Sequence, residues 1–313
     1  MKDTKLGVYV AIVLSMLFWS LSFVWVKIVY VSYKPITTVF LRLIISSIIL
    51  IIFGLITKKV QIPEKKELKY LLLLSFFEPF LYFMGESFGM LYVSSTLGSV
   101  IIATIPLFAP VAAWYFYKER LATKNLMGII ISFIGVSVVV LNRDFSLKAA
   151  PIGLALMFVA VFAAVGYTVV LNRLSHKYNP ISIILYQNFI GIFLFLPFWL
   201  IFDMKDFMAT PYDSTAMIAI VKLSIFASSL AFILFTYSLK FLGIGKSNTF
   251  INAIPVFTAI FAFFILGDKL TVQKFAGIAI VISGLFLSQL KTEKLKSWKI
   301  SNITQPKSLK KNR

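Results

Sequence analysis

Cysteine is absent from the sequence, and histidine occurs once, at His176. The first absence excludes a disulfide framework, a thiolate nucleophile and a zinc–thiolate centre. Acidic residues are few, 12 Asp and Glu against 31 Lys and Arg. Charged residues of both signs make up 14% of the chain, where soluble domains average about 25%. That leaves too little polar surface for a water-soluble fold. A P-loop is also missing, so ATP is not expected to drive the protein directly. The net charge of +19 would suggest nucleic acid as the partner of a soluble protein. In a chain with so little polar surface the membrane comes first, and no nucleic acid is expected.

Apolar length is what the chain has in abundance. Hydrophobic residues make up 59% and the mean hydropathy is +0.92. Runs of about 20 apolar residues each match a hydrocarbon core about 30 Å thick. The expected fold is an all-α polytopic membrane protein with ten transmembrane segments, at 7–29, 35–57, 69–91, 96–117, 123–141, 152–172, 180–202, 215–239, 244–266 and 272–290. The first lacks a small-residue cleavage site and reads as a spanning helix, not a signal peptide. With the N-terminus inside, 22 Lys and Arg fall on the cytoplasmic side, 8 fall on the other, and Arg42 lies within a helix. The positive-inside rule then puts both termini in the cytoplasm, in the cell (inner) membrane. Residues 291–313 form a Lys-rich tail outside the fold.

The chain is also duplicated. Ile105-Pro106-Leu107-Phe108, Glu119-Arg120-Leu121, Gly128-Ile129 and Gly135 recur 149 positions later as Ile254-Pro255-Val256-Phe257, Asp268-Lys269-Leu270, Gly277-Ile278 and Gly284. Lys34-Pro35-Ile36 likewise returns as Asn179-Pro180-Ile181. The repeats are read as 1–144 and 145–290, each with five helices. An odd number inverts the second copy in the membrane, a recurrent plan for transporters that bind substrate near the midplane between the halves.

Ionisable groups inside a span cost several kcal/mol unless they face a cavity or a partner. Here they are Arg42, Glu78 and Glu86. Arg42 lies about 10 Å and Glu86 about 9 Å from the same face, at 1.5 Å per residue. They are expected to meet as an ion pair, either structural or lining a cavity. Glu78 sits near the midplane just before Pro79, with Tyr82 and Glu86 on one broad face of the same helix. It is read as binding substrate or a proton. Pro106 and Pro255 are repeat-matched mid-span kinks, and Pro110 adds a second break. Asn248 and Asn252 on segment nine, and Gln187 and Asn188 on segment seven, either line the cavity or bond neighbouring helices. Trp19, at mid-depth in segment one, either stacks on a substrate or packs. His176 is expected to be solvated in a loop.

Trp19-Ser20 with Lys27 eight residues after the Trp, Arg42 in helix two and the twin proline, acidic-basic-leucine and glycine blocks resemble the drug/metabolite transporter superfamily, in its ten-helix branch of two EamA-type domains. The resemblance covers residues 7–290. Ser20 stands where the family often has Gly, and Asp268 replaces Glu. The resemblance implies five-helix inverted repeats, a central cavity, alternating access and, in many bacterial members, export of amino acids or related metabolites.

The expected function is therefore a secondary transporter, an exporter of a small metabolite such as an amino acid. It would use no cofactor or metal, with protons as a candidate coupling ion and the oligomeric state open. Candidate substrate-binding residues are Glu78, Tyr82, Glu86, Arg42, Trp19, Asn188, Asn248 and Asn252. The alternatives are a flippase for a lipid-linked carrier and a non-transporting membrane partner. A lipid-processing enzyme would need a cluster of nucleophile, acid or metal ligands near an interface, for which one loop histidine is poor material.

Overall fold

The computed structural model describes residues 2–118, 123–140, 150–269 and 271–289. Glu119-Arg120-Leu121 and Leu270 of the duplicated block, Arg143, Lys148, the 144/145 repeat boundary and the 291–313 tail lie outside them. Among the described residues every regular element is helical. The helices are α1 (Lys2–Val29), α2 (Pro35–Thr57), α3 (Leu68–Ser75), α4 (Tyr82–Gly89), α5 (Ser95–Ile102), α6 (Ile105–Tyr117) and α7 (Thr123–Val140). They continue as α8 (Pro151–Ser175), α9 (Pro180–Phe198), α10 (Met204–Ala209), α11 (Ser214–Lys222), α12 (Phe232–Thr249), α13 (Ile254–Leu266) and α14 (Val272–Gln289). Among the described residues seven stretches are long and apolar enough to cross a membrane: Lys5–Val29, Pro35–Thr57, Lys65–Gly89, Ser95–Tyr117, Pro151–Ser175, Pro180–Ala209 and Ser214–Leu266. Leu126–Gly135 and Val272–Gly284 are shorter apolar helices.

Local chemistry sets the helix starts. Pro35, Pro151 and Pro180 open α2, α8 and α9 after residues in extended conformation, because proline fixes a helical φ and disfavours helix in the residue before it. Asn179 caps α9 by accepting from the Ser182 amide at 2.9 Å, and Ser94 caps α5 through the Leu97 amide at 3.2 Å.

The long Ser214–Leu266 stretch turns back on itself. Ser15 Oγ donates to Ala231 O at 2.8 Å and Ser238 Oγ to Val8 O at 3.0 Å, so residues 231–238 run antiparallel to α1. The Tyr9 and Phe250 rings then lie 6.0 Å apart and Ser20 Oγ donates to Ile254 O at 3.2 Å, so residues 250–254 run parallel to it. Gly243, at φ 78° and ψ 172°, marks the reversal, in a region of backbone space open to glycine.

Helix interiors are interrupted at repeat-matched places. Glu78 leaves helical geometry at φ −146° and ψ 122° within a wide-turned stretch, Phe76–Leu81, and a second wide stretch covers Leu223–Ala231. The segment-three helix is thus broken at Glu78, and the expected continuous face from Glu78 to Glu86 is replaced by a break followed by α4. Residues 103–104 separate α5 from α6 and 250–253 separate α12 from α13, just before Pro106 and Pro255. Both prolines stand in the first turn of the following helix, where a missing N–H costs nothing. Pro110 adds no second break, since α6 runs through it to Tyr117.

Helices α7 and α14 meet through their repeat-matched glycines. A Cβ on Gly135 would stand 2.7 Å from Gly277 O and Val281 N; one on Gly284 would stand 2.5 Å from Gly128 O and Ser132 N. Ser132 Oγ donates to Val281 O at 3.1 Å. Gly135 faces Gly277 while Gly128 faces Gly284, so the helices are antiparallel and each meets its own repeat mate. Close backbone approach of this kind is what small residues allow. Gly284→Leu is expected to overpack this contact by about 1–3 kcal/mol, lowering the tryptophan-fluorescence melting midpoint by several degrees. Gly7→Leu, where a Cβ meets nothing within 4 Å, is the control. Equal midpoints for the two variants would contradict the packing account.

Candidate functional site

A small cavity, about 50 Å³, lies between the two repeats. Of the eight candidate residues, Trp19, Arg42, Glu78, Tyr82, Glu86 and Asn248 line it. Asn188 does not; its Nδ2 donates to Ser46 Oγ at 2.7 Å and to Ser228 O at 2.9 Å, holding α2, α9 and the 223–231 stretch together. Asn252 is buried outside the lining, and neither of its side-chain polar atoms has a partner.

Arg42 and Glu86 share the cavity, yet no ion pair joins them within 4.0 Å. Arg42 instead donates from Nε to Ser228 Oγ at 2.8 Å and lays its guanidinium 4.3 Å from the centre of the Phe83 ring. The hydroxyl and the π face compensate the desolvated cation in place of a carboxylate. Glu86 Oε1 accepts from Tyr82 Oη at 3.2 Å, one turn away on α4. Glu78 is buried, faces the cavity and has no hydrogen-bond partner among the described residues. Trp19 sits against Phe232 and Phe235 at 5.0 and 5.1 Å between ring centres, so it packs and lines the cavity at once.

Sequence reasoning missed Phe83, Tyr167, Thr168, Phe232 and Phe235 in this lining. The repeat offset offered a signal. Ile102 and Ile251, Ile105 and Ile254, and Ser22 and Thr168 are repeat-matched pairs in which both members line the cavity. Gln187, the repeat mate of Arg42, accepts from Tyr167 Oη at 3.1 Å.

Two sets of contacts close the bundle at opposite ends of α2. At one end, Asn179 N donates to Gln61 Oε1 at 2.6 Å, Gln61 N to Ser182 Oγ at 2.8 Å and Glu64 N to Tyr178 Oη at 3.0 Å. There Glu67 takes Lys177 at 2.8 Å and Arg173 at 3.3 Å. At the other end Lys34 pairs with Asp206, the Ser32 hydroxyl donates to Asp213, and Asp213 N donates to Tyr33 Oη at 3.2 Å. Residues 32, 33, 34 and 61 have repeat mates 145 positions later at 177, 178, 179 and 206. The Lys34–Asp206 contact is therefore the repeat mate of Asn179–Gln61. Glu67 and Asp213, 146 apart, stand directly before α3 and α11, which makes Ser32–Asp213 the counterpart of Lys177–Glu67. Hydrogen bonds from Lys34 to Asp206 and from Lys177 to Glu67 raise both lysines above their ordinary range.

The EamA-like transporter family model matches residues 6–141 and 151–290, one copy per repeat. An "Uncharacterized transporter" of Archaeoglobus fulgidus is 28% identical over 89% of this chain and 97% of its own. YetK of Bacillus subtilis, also an "Uncharacterized transporter", is 26% identical over 92% of this chain and 88% of its own. A "Probable amino-acid metabolite efflux pump" of Escherichia coli is 25% identical over 92% and 94%. A crystal structure 15% identical in sequence superposes with a TM-score of 0.70, over 92% of this chain and 97% of that one, and so shares the fold.

The Ser32 hydroxyl, then the Ala216 amide, hold the Asp213 carboxyl below its ordinary value. A depressed acid contributes stability above its unfolded value, near pH 4, and loses it as pH falls through the folded one. The difference in melting midpoint between wild type and Asp213→Asn is therefore expected to stay constant from pH 5 to 8 and to shrink only below about pH 4. A difference that changed within pH 5–8 would count against this assignment.

Proposed function

The chain belongs to the EamA-like transporter family of the drug/metabolite transporter superfamily, and on that premise we propose that it is a secondary transporter exporting a small metabolite, an amino acid or related compound, by alternating access. The observation that carries this reading is the cavity holding Glu78, Glu86 and Arg42, closed at both ends by repeat-related latches. A cavity of about 50 Å³ holds a few waters and is too small for a metabolite, for which pockets run from about 300 Å³. The closed form is then an occluded step, and one latch opens at a time.

Several features support ten spans in two inverted repeats. The reversal at Gly243 divides one of the seven long stretches, and the two shorter apolar helices supply the remainder. The antiparallel α7–α14 contact fits a two-fold axis lying in the membrane plane. Both termini are placed in the cytoplasm of the cell membrane on the strength of the basic residues. Glu78 is assigned to substrate or proton binding because its carboxyl faces the cavity unpartnered.

A metabolite-uptake screen in proteoliposomes, with and without a pH gradient, tests the transport reading, and including lipid-linked solutes separates it from a flippase. Glu78→Gln is expected to reduce transport at least tenfold at normal expression; unchanged kinetics and pH profile would remove Glu78 from the site. The latches have their own test, helped by the absence of cysteine. A single cysteine at cavity-lining Thr168 is expected to label severalfold faster from the cytoplasmic side in a Glu67→Gln background, and from the opposite side in a Lys34→Gln background. Equal labelling from both sides in both backgrounds would disprove the gating roles.

A further inference from the structure

Two concavities on the lipid-facing side of the bundle adjoin, sharing Tyr117 and Arg173. The larger, about 660 Å³, runs between α3, α6 and α8, and its walls include Leu73, Phe77, Ala112, Phe162 and Val169. The other, about 490 Å³, is lined by Asn172, Arg173, His176 and Lys240 with Tyr117 and Gly243; among the described residues its lining holds no acidic side chain, and Glu67 meets Arg173 from beside it. An apolar groove thus ends in a basic basin.

The depth of the junction is marked independently. Helix α6 ends in Trp114-Tyr115-Phe116-Tyr117, all exposed, with Lys118 folded over the Trp114 and Tyr115 rings at 5.8 and 5.9 Å. Aromatic rings and a snorkelling lysine of this kind settle at the boundary between hydrocarbon and headgroups. Tyr117 Oη donates to Val169 O at 2.7 Å, one turn before Arg173. The groove therefore lies at acyl-chain depth and the basin at headgroup depth. Arg173 is only partly committed: Glu67 takes Nε at 3.4 Å and Nη2 at 3.3 Å, and a guanidinium carries five N–H donors. Lys240 is exposed and appears in no ion pair among the described residues.

We propose that basin and groove form a binding site for one anionic phospholipid, its headgroup on Arg173, Lys240 and His176 and an acyl chain along α6 and α8. Basic pockets between transmembrane helices suit anionic headgroups, and each nearby Lys or Arg is worth about a fivefold change in affinity. The assignment is independent of what the central cavity carries. Such a lipid would bridge α8, which with the loop after it supplies Arg173 and Lys177 to one latch, to α12 at its Gly243 break.

The test is native mass spectrometry of the full-length protein with dioleoyl phosphatidylglycerol and dioleoyl phosphatidylethanolamine, which share their acyl chains and differ in net charge. Wild type is expected to retain the anionic lipid several-fold better. Lys240→Gln is expected to lower that retention about fivefold and leave the zwitterionic lipid unchanged. Ala112→Phe, which fills the groove, is expected to lower both. Arg173 is left intact because it also holds Glu67. Equal retention of the two lipids by wild type, or unchanged retention in both variants, would overturn the proposal. Displacement of the lipid by inorganic phosphate at equal concentration would overturn the lipid assignment.

Discussion

Charge in an apolar medium is the constraint on which the centre of this molecule depends. Arg42, Glu78 and Glu86 lie buried within spans, and each exacts several kcal/mol unless the bundle supplies polar partners or a cavity. The bundle supplies both. Ser228 and the Phe83 ring take the Arg42 guanidinium, while Ser46, Asn188 and Ser228 O form a polar seam beside it. Backbone that departs from a helix at membrane depth is tolerated only where it is buried in protein or borders a cavity, and the break at Glu78 obeys that rule. The irregular backbone, the carboxyls and the space they face are one arrangement. Removing any of them leaves the others without solvation.

Duplication gives that arrangement two ends of one plan, but the ends are not chemically equal. One latch buries the Glu67 carboxylate, 1% exposed, between Arg173 and Lys177. Losing either cation leaves that carboxylate short of a charge partner in a spot its own side chain shares with little solvent. The other latch rests on Lys34 and Asp206, each 55% exposed, where solvent screens the attraction. Repeat symmetry set the positions, and divergence of residues 61, 177 and 179 from 206, 32 and 34 set different strengths. Under the alternating access proposed above, such asymmetry would bias the resting population toward the state in which the Glu67 latch is closed.

The helical class, the repeat and the burial of Arg42, Glu78 and Glu86 inside the bundle were legible because each is a one-dimensional signal: apolar run length, a constant offset, a charge where none belongs. Relations between helices were not. Depth along a helix says that Arg42 and Glu86 share a level, but not which way each faces, and Arg42 turned to Ser228. Asn188 and Asn248 were equivalent as sequence, both intramembrane amides, and only packing separated a helix-bonding residue from a lining one. Pro110 makes no break, since α6 runs through it to Tyr117. Tyr167 and Phe232 carry no charge and resemble ordinary core until the cavity is seen.

The rods that frame the cavity also reach the latches. Helix α2 brings Arg42 to the cavity and begins at Pro35, directly after Lys34. Helix α8 brings Tyr167 and Thr168 to it and carries Arg173 within two further turns. With about 50 Å³ available, a metabolite cannot be seated while both rods hold their present separation, because interiors packed to near-crystalline density do not yield locally. Widening the cavity therefore means moving α2 or α8 as a body, and the end of each is pinned by a latch. Occupancy of the centre and closure of the ends are thus coupled through two stiff elements. On the proposed function, the residues facing the cavity and those holding the ends need not touch for one to govern the other.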